Sequence, residues 1–339
     1  MSIQAELQAT IRALVQPGKG VLATDESHPT IAKRFKAIGV ESTEALRQEY
    51  RSIIFSAPGL NEHIGGVILF AETLEQKNLE GLPMPELLSQ QGIVPGIKVD
   101  QGKGPLANAP GEEVTFGLDG LEQRLADAKA LGARFAKWRC VFHITDTLPS
   151  ELAIDANAET LARYAAICQS LGIVPIVEPE VLIDGAHTIE RSAEVNEQVV
   201  RGLFETLVLH RVNLETMILK PSMVTPGNDS PKASPEDVAA ATIRTLRRCV
   251  PAAVPGIFFL SGGQTPEEAT LNLNAMNQHA NLPWTLSFSY GRALQEPAQH
   301  AWKGDIGNRA DAHKAMSKRA RLNSNAALGQ YTPGMENQD

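Results

Sequence analysis

The stretch "LETMILKPSMVTPG", residues 214–227, places a lysine directly after an apolar run. Met217, Ile218 and Leu219 are typical of a buried strand, and Lys220 follows them at once. A lysine in that position either extends its ammonium group to water or is kept inside the protein for chemistry. The rest of the sequence helps to decide between these two interpretations.

Seven other short apolar runs resemble the one that precedes Lys220. The eight are "VLATD" (21–25), "GVILF" (66–70), "VPGIKVD" (94–100), "ARFAKWRCVF" (133–142), "IVPIVEPEV" (173–181), "TMILKPS" (216–222), "GIFFLSGG" (256–263) and "TLSFSYG" (285–291). Amphipathic segments with helical spacing lie between them, and some begin with helix-start signals such as "SPED" and "TPEE". This alternation predicts an α/β protein with a (β/α)8 TIM barrel.

The competing fold is a doubly wound open sheet, which usually has fewer strands. It often carries a glycine-rich nucleotide loop, but the sequence contains neither GxGxxG nor GxxxxGK[ST]. A length of 339 residues fits one barrel with added elements. We therefore expect a single barrel domain over residues 1–326, including an extra N-terminal helix, and a short flexible C-terminal tail over residues 327–339.

Composition indicates a soluble globular protein, with 43% hydrophobic and 21% charged residues. The net charge of -8 argues against nucleic acid or a membrane surface as a partner. No apolar run approaches the roughly 18 residues that a membrane span needs, and the N-terminus lacks the features of a signal peptide. Cys140, Cys168 and Cys249 show no metal-binding spacing and are interpreted as reduced thiols. We expect a cytoplasmic protein.

Charged residues gather at the ends of the predicted strands, where a barrel has its active site. They are Asp25, Lys98, Asp100, Lys137, Arg139, Glu178, Glu180 and Lys220. Residues two apart on a strand share a face, so each same-strand pair points either into the barrel mouth or outward to the helices as salt bridges. Because all the pairs occur at the same end of their strands, the mouth is favoured.

The residue types in this group suit an anionic substrate that reacts through a carbonyl. The eight histidines are scattered with no two at metal-ligand spacing, which disfavours a zinc or iron site. The glycines of Ser261-Gly262-Gly263 and Tyr290-Gly291-Arg292 follow the last two strands, where barrels commonly bind phosphate through backbone N–H groups. "SGG" alone is equally typical of a turn.

Several segments together carry a family resemblance. They are "LATDES", "GGVILF", "GIKVD", "FAKWRC", "IVPIVEPE", "LKPSMVTPG", "FLSGGQ" and "FSYGRALQ". In this order, from about Gly20 to Tyr331, the chain resembles the class I, Schiff-base-forming fructose-bisphosphate aldolases. The resemblance implies a barrel, usually homotetrameric, that reversibly splits fructose 1,6-bisphosphate into dihydroxyacetone phosphate and glyceraldehyde 3-phosphate. This is a reaction of glycolysis and gluconeogenesis, and the resemblance implies that no metal or other cofactor takes part.

The same resemblance implies roles for individual residues. Lys220 would form the imine, Glu178 would act as acid and base with Glu180 beside it, Asp25 would be the base for cleavage, and Lys137 would orient this region. The residues implied in substrate and phosphate binding are Ser27, Thr30, Arg34, Lys98, Arg139, Ser261, Gly262, Gly263, Tyr290, Gly291 and Arg292. Those from Ser261 onward would hold the phosphate on the dihydroxyacetone side, whereas Ser27, Thr30 and Lys98 would lie toward the other phosphate.

The sequence departs from the family's usual pattern in three places. Thr30 stands where a serine is common in animal members, but it keeps a hydroxyl. Thr216 stands where the Schiff-base motif usually has glycine, and we expect it to change packing but not chemistry. The chain stops at Asp339 without the long tyrosine-ended tail of many eukaryotic members, so another group is expected to protonate the enamine. Two alternatives stay open at this point: an aldolase that prefers another ketose phosphate, such as sedoheptulose 1,7-bisphosphate or fructose 1-phosphate, and a barrel that serves only as a binding scaffold.

Overall fold

The structure, a computed structural model, describes residues 2–338. The strands in this range are β1 Gly20–Thr24, β2 Ile64–Leu69, β3 Val94–Lys98, β4 Lys103–Pro105, β5 Glu113–Thr115, β6 Phe135–Phe142, β7 Val174–Val181, β8 Ile218–Leu219, β9 Gly256–Phe259 and β10 Thr285–Tyr290. Eight of them close a parallel barrel, in the order β1-β2-β3-β6-β7-β8-β9-β10 with β10 pairing back to β1. The predicted TIM barrel is confirmed.

Helices connect and surround the barrel strands. They are α1 Ile3–Leu14, α2 His28–Ala37, α3 Glu44–Phe55, α4 Leu60–His63, α5 Ala71–Glu75, α6 Met84–Gln90, α7 Leu121–Ala130, α8 Glu151–Ser170, α9 Ile189–Leu209, α10 Pro235–Cys249, α11 Pro266–Asn277, α12 Arg292–Trp302 and α13 Arg309–Ala327, with 3₁₀ turns at Leu214–Thr216, Ile306–Asn308 and Pro333–Asn337. The "TPEE" signal is a capping box, in which the Thr265 hydroxyl accepts from Glu268 N and the Glu268 carboxylate accepts from Thr265 N. No helix among the described residues is long and apolar enough to cross a membrane.

The extra N-terminal helix closes the bottom of the barrel. Leu7, Ile11 and Leu14 of α1 belong to the same buried cluster as the residues that point into the barrel. Leu14 approaches β2 closely, since a Cβ on Gly66 would lie 2.5 Å from Leu14 Cδ2 and the Leu14 side chain would have to shift. One end of the barrel is thereby sealed with apolar side chains, and the other end is left for polar chemistry.

Alternation along the strands explains where the interior changes from apolar to charged. Ile176 of β7 and Ile218 of β8 lie in the apolar filling of the barrel. Two residues further along, the next inward positions are Glu178 and Lys220, and both line an open cleft. These two strands thus each contribute an apolar residue to the barrel floor and a charged one to its mouth.

Two features of the structure lie outside the predicted alternation. The antiparallel hairpin of β4 and β5 was not predicted from the sequence. In the tail, Tyr331 is buried, and its hydroxyl donates to Glu336 Oε1 at 2.8 Å. Glu336 also accepts from Arg319 Nη1 at 2.8 Å, so the described tail residues contact α13. The flexibility expected for residues 327–339 stays a prediction.

Candidate active site

A cleft of about 1490 Å³ opens at the C-terminal ends of the barrel strands. Its lining includes the residues predicted for the site with one exception: Asp25, Ser27, Thr30, Arg34, Lys98, Lys137, Arg139, Glu178, Glu180, Lys220, Ser261, Gly262, Gly263, Gly291 and Arg292. The same-strand pairs therefore point into the barrel mouth and not toward the helices. Lys220 lines this cleft with its side chain almost fully buried, so it does not extend its ammonium group into open water.

The exception is Tyr290. It was predicted as a binding residue, but its side chain does not line the cleft. Its side chain is fully buried behind β10, and its hydroxyl donates to the Ala269 carbonyl of α11 at 2.9 Å. The neighbouring residues Ser289 and Gly291 line the cleft. Because side chains alternate along a strand, Tyr290 must face the helices when these neighbours face the mouth.

At the centre of the cleft, two lysines and two carboxylates form a continuous line of contacts. Lys220 Nζ lies 3.2 Å from Glu178 Oε1, and Lys137 Nζ lies 3.1 Å from Glu178 Oε2. Lys137 Nζ also lies 2.6 Å from Asp25 Oδ2. The side chains of Lys137, Glu178 and Lys220 are almost fully buried, so these charges interact with little screening by water.

Strand register brings these residues together. Lys98 of β3 is directly opposite Lys137 of β6, and Arg139 of β6 is opposite Glu178 of β7. Pairing continues beyond the short strand β8, since Lys220 N donates to the Val177 carbonyl of β7 at 2.8 Å. The backbone on which Lys220 stands is therefore fixed against the strand that carries Glu178.

The charges of this group stabilise one another. Burial alone raises the pKa of Asp25, but Lys137 and Lys220 outweigh it and hold the pKa well below its ordinary value. Glu178 follows the same pattern. Burial raises its pKa, but Lys137 and Lys220 outweigh burial and hold the pKa below its ordinary value. Burial lowers the pKa of Lys137, but Asp25 and Glu178 raise it above the ordinary range. Asp25 and Glu178 are ionised and Lys137 is charged at neutral pH.

We expect Lys137→Met to lower the free energy of unfolding by about 3–5 kcal/mol, because it leaves buried carboxylates without their shared cation. Urea denaturation at neutral pH measures the change. The matched control is Lys103→Met, which removes the partly exposed ion pair with Glu113 and should cost no more than about 1 kcal/mol. Equal losses in the two variants would contradict the view that Lys137 holds the centre of the site together.

The remaining predicted residues frame the cleft on two sides. Lys98 Nζ lies 2.6 Å from Asp100 Oδ1, and Arg139 forms an ion pair with Glu180. On the other side, Gly263 has a φ of +76°, and a Cβ there would lie 2.0 Å from Ile183 Cδ1, so the turn after β9 requires glycine. Arg292 begins α12 and donates to the Gln264 carbonyl at 3.3 Å.

Thr216 is accommodated by a hydrogen bond under the site. Its side chain is fully buried, and its hydroxyl accepts from Gln169 Nε2 of α8 at 3.0 Å. The same hydroxyl lies 3.3 Å from the Asn213 carbonyl, to which it donates. Thr216 therefore contacts α8 and the Asn213 carbonyl before β8 and does not line the cleft, and the change in packing stays a prediction.

Sequence reasoning missed a set of buried polar residues at the wall of the cleft, which Glu26 lines. Glu26, next to Asp25, forms ion pairs with Arg34 and with Arg51 of α3. Gln295 of α12 donates to Glu26 Oε1 at 2.7 Å. Only the position of Glu26 within "LATDES" could have drawn attention to it, since Arg51 and Gln295 are 25 and 269 residues away in the sequence. Within residues 2–338, the structure holds no group of three or more His, Cys, Asp or Glu arranged to bind a metal ion.

Comparison with known proteins places this geometry in context. The family model described as class I fructose-bisphosphate aldolase, a glycolytic family, matches residues 6–339. The chain is 54% identical to "Fructose-bisphosphate aldolase 5, cytosolic" of Arabidopsis thaliana, over 97% of this chain and 92% of that protein. It is 52% identical to "Probable fructose-bisphosphate aldolase class 1" of Xylella fastidiosa, over 98% of this chain and 99% of that protein.

A solved structure is also closely similar. It is a fructose-bisphosphate aldolase from Plasmodium falciparum, in complex with TRAP and a small-molecule inhibitor. The TM-score is 0.96 at 48% sequence identity, and the match covers 98% of this chain and 96% of that chain. The similarity therefore extends over the whole barrel.

Proposed function

Because this chain belongs to the class I fructose-bisphosphate aldolase family, we propose that it cleaves fructose 1,6-bisphosphate reversibly through an imine on Lys220, without a metal or other cofactor. The observation that carries the mechanism is the buried line of contacts from Lys220 through Glu178 and Lys137 to Asp25. A scaffold that only binds would have no use for two lysines and two carboxylates buried together, because desolvating them costs free energy. The products are dihydroxyacetone phosphate and glyceraldehyde 3-phosphate.

Lys220 attacks the ketone carbonyl as a neutral amine. Its Nζ is 3.2 Å from Glu178 Oε1, so the ammonium proton can pass directly to this carboxylate. After the attack, a proton moves from the new ammonium nitrogen to the alkoxide and gives the carbinolamine. Glu178 then donates the proton that it took from Lys220 to the carbinolamine hydroxyl, which leaves as water and produces the protonated imine. Glu180 forms an ion pair with Arg139 and lies two residues beyond Glu178 on the same face of β7.

Cleavage needs a base for the hydroxyl next to the breaking carbon–carbon bond. Asp25 fits this role because Lys137 keeps it ionised at a contact of 2.6 Å. When Asp25 takes the hydroxyl proton, the aldehyde forms and leaves, and the electrons of the broken bond move to the imine as an enamine. Lys137 stays charged throughout and orients both carboxylates.

Two groups of cations suit the two phosphates of the substrate. Arg292 and Arg34 lie with Gly291 on one side of the cleft, where the first turn of α12 adds backbone N–H groups. Lys98 and Arg139 lie on the other side. Further contacts are proposed from Ser27, Thr30, Ser261, Gly262 and Gly263, of which the first two have hydroxyl oxygens 3.1 Å apart.

Turnover of fructose 1,6-bisphosphate and fructose 1-phosphate, compared with and without EDTA, tests this assignment. We expect kcat/KM to be at least about tenfold higher for the bisphosphate, since the second phosphate supplies binding energy for cleavage, and chelation should change neither rate. Equal values would remove the preference for a bisphosphate, and sedoheptulose 1,7-bisphosphate would then be compared. Activity lost in EDTA would overturn the metal-free mechanism.

We further propose a cytoplasmic homotetramer. The name of the Arabidopsis relative describes a cytosolic protein, which supports the compartment. Val208 and Leu209, at the end of α9, are 61% and 77% exposed, and burying such apolar side chains against another copy would stabilise an assembly. Light scattering should give four times the 36.5 kDa chain mass, whereas a monomer at micromolar concentration would contradict the proposal.

A further inference from the structure

At the wall of the cleft, which Glu26 lines, Glu26, Arg51 and Gln295 close a ring of hydrogen bonds. Arg51 Nη2 forms an ion pair with Glu26 Oε2, and Arg51 Nη1 donates to Gln295 Oε1 at 2.7 Å. Gln295 Nε2 then donates to Glu26 Oε1 at 2.7 Å, and also to the Ala23 carbonyl of β1 at 2.6 Å. These three residues come from the segment just after β1, from α3 and from α12. The ring therefore joins the segment that carries Asp25 to the helix that begins at Arg292.

Arg34 is attached to this ring from the cleft side. Its Nη1 forms an ion pair with Glu26 Oε1, the oxygen that Gln295 also contacts. The Arg34 side chain is 22% exposed, compared with 4% for Arg51. Arg34 Nη2 lies 3.7 Å from where a Cβ on Gly291 would be, which places the guanidinium beside the turn before α12. Arg34 therefore faces both the buried carboxylate and the cleft.

Charge balance distinguishes the two arginines. Burial raises the pKa of Glu26, but Arg34 and Arg51 lower it below the ordinary value, so the carboxylate is ionised. Glu26 and Arg51 already neutralise each other inside the protein, and Arg34 adds one further positive charge. If Arg34 turned away, Glu26 Oε2 would keep Arg51 and Glu26 Oε1 would keep Gln295. No buried charge would then be left without a partner.

We propose that Arg51 is a positioning residue that frees Arg34 to bind a substrate phosphate. Arg51 does not touch the substrate, but it serves as the permanent counter-charge of Glu26. The inference rests on the proposed function only in taking Arg34 as a phosphate ligand. Without Arg51, Arg34 would be the only cation paired with Glu26 within residues 2–338, and binding phosphate would require it to abandon a buried carboxylate.

Binding of inorganic phosphate, measured by calorimetry, tests the inference without turnover. We expect Arg51→Met to weaken phosphate binding about tenfold, which corresponds to Arg34 being free for a tenth of the time. The matched control is Arg47→Met, one turn earlier on α3, which breaks a pair with Glu72 and has no contact with Glu26. Arg47→Met should bind phosphate like the wild type. Borohydride trapping of unphosphorylated dihydroxyacetone on Lys220 reports whether the centre of each variant is intact.

The double variant Glu26→Gln/Arg51→Met separates a counter-charge from a merely structural role. Removing the carboxylate removes the demand on Arg34, so phosphate affinity should return to within about twofold of the wild type. Glu26→Gln alone leaves both arginines available and should bind phosphate at least as tightly as the wild type. If Arg51→Met does not fold, the phosphate affinity of Glu26→Gln tests the inference in its place. Unchanged affinity in Arg51→Met, no recovery in the double variant, or weaker binding by Glu26→Gln would each overturn the inference. Failure of the aldolase proposal would instead appear as no adduct on Lys220 in the wild-type protein.

Discussion

Replacing Lys220 by methionine is expected to lower kcat for fructose 1,6-bisphosphate by at least about 10⁴-fold, the scale seen when a covalent nucleophile is removed. Methionine keeps most of the apolar length of lysine and lacks only the amine that forms the imine. The rest of the cleft should persist, since Lys137 still contacts Glu178 and Asp25. Binding of inorganic phosphate should therefore stay close to the wild-type value while turnover disappears.

The control for this experiment is Lys36→Met, an exposed lysine of α2, which should leave kcat unchanged. A Lys220→Met enzyme that retained even a hundredth of wild-type turnover would contradict covalent catalysis at this position. Loss of phosphate binding together with activity would indicate that the substitution had disrupted the cleft and not the chemistry alone.

Replacing Asp25 by asparagine is expected to slow cleavage by about 10³-fold, in the range for loss of a general base. The amide has the shape of the carboxylate but cannot accept the hydroxyl proton. Imine formation should survive, because Lys220 and Glu178 remain in contact. Steady-state cleavage and borohydride trapping of dihydroxyacetone phosphate on the same preparation separate the two steps.

Asp184→Asn is the matched control, since Asp184 also lines the cleft but is exposed. It should cleave at a rate within about twofold of the wild type, as most surface substitutions have small effects. If Asp25→Asn lost trapping and cleavage to the same extent, Asp25 would be acting before the carbon–carbon bond breaks, and its assignment as the cleavage base would be wrong.

The barrel and the centre of its site could be predicted because both depend on short-range patterns. Apolar runs separated by amphipathic segments predict the strands, and the parity of positions predicts that Lys137 and Arg139 share a face. The same parity argument excludes Tyr290, whose neighbours Ser289 and Gly291 line the cleft. The prediction that Tyr290 binds substrate rested on its place in the motif "FSYGRALQ" and not on the alternation of side chains.

Other features could not be predicted because no local pattern encodes them. The hairpin strands β4 and β5 have only three residues each, which is too few to show a hydrophobic alternation. The ring of Glu26, Arg51 and Gln295 joins residues up to 269 positions apart. Such contacts become visible only once the barrel has brought β1 and α12 together.

Borohydride reduction in the presence of dihydroxyacetone phosphate, followed by peptide mass spectrometry, tests the central claim most directly. Reduction converts an imine into a stable secondary amine, so the modified residue identifies the nucleophile. We predict one adduct, on Lys220, in the peptide that contains "ILKPSMV", and none when borohydride or the ketone is omitted. An adduct on Lys137 or Lys98 with Lys220 unmodified, or no adduct at all in an active enzyme, would contradict the account.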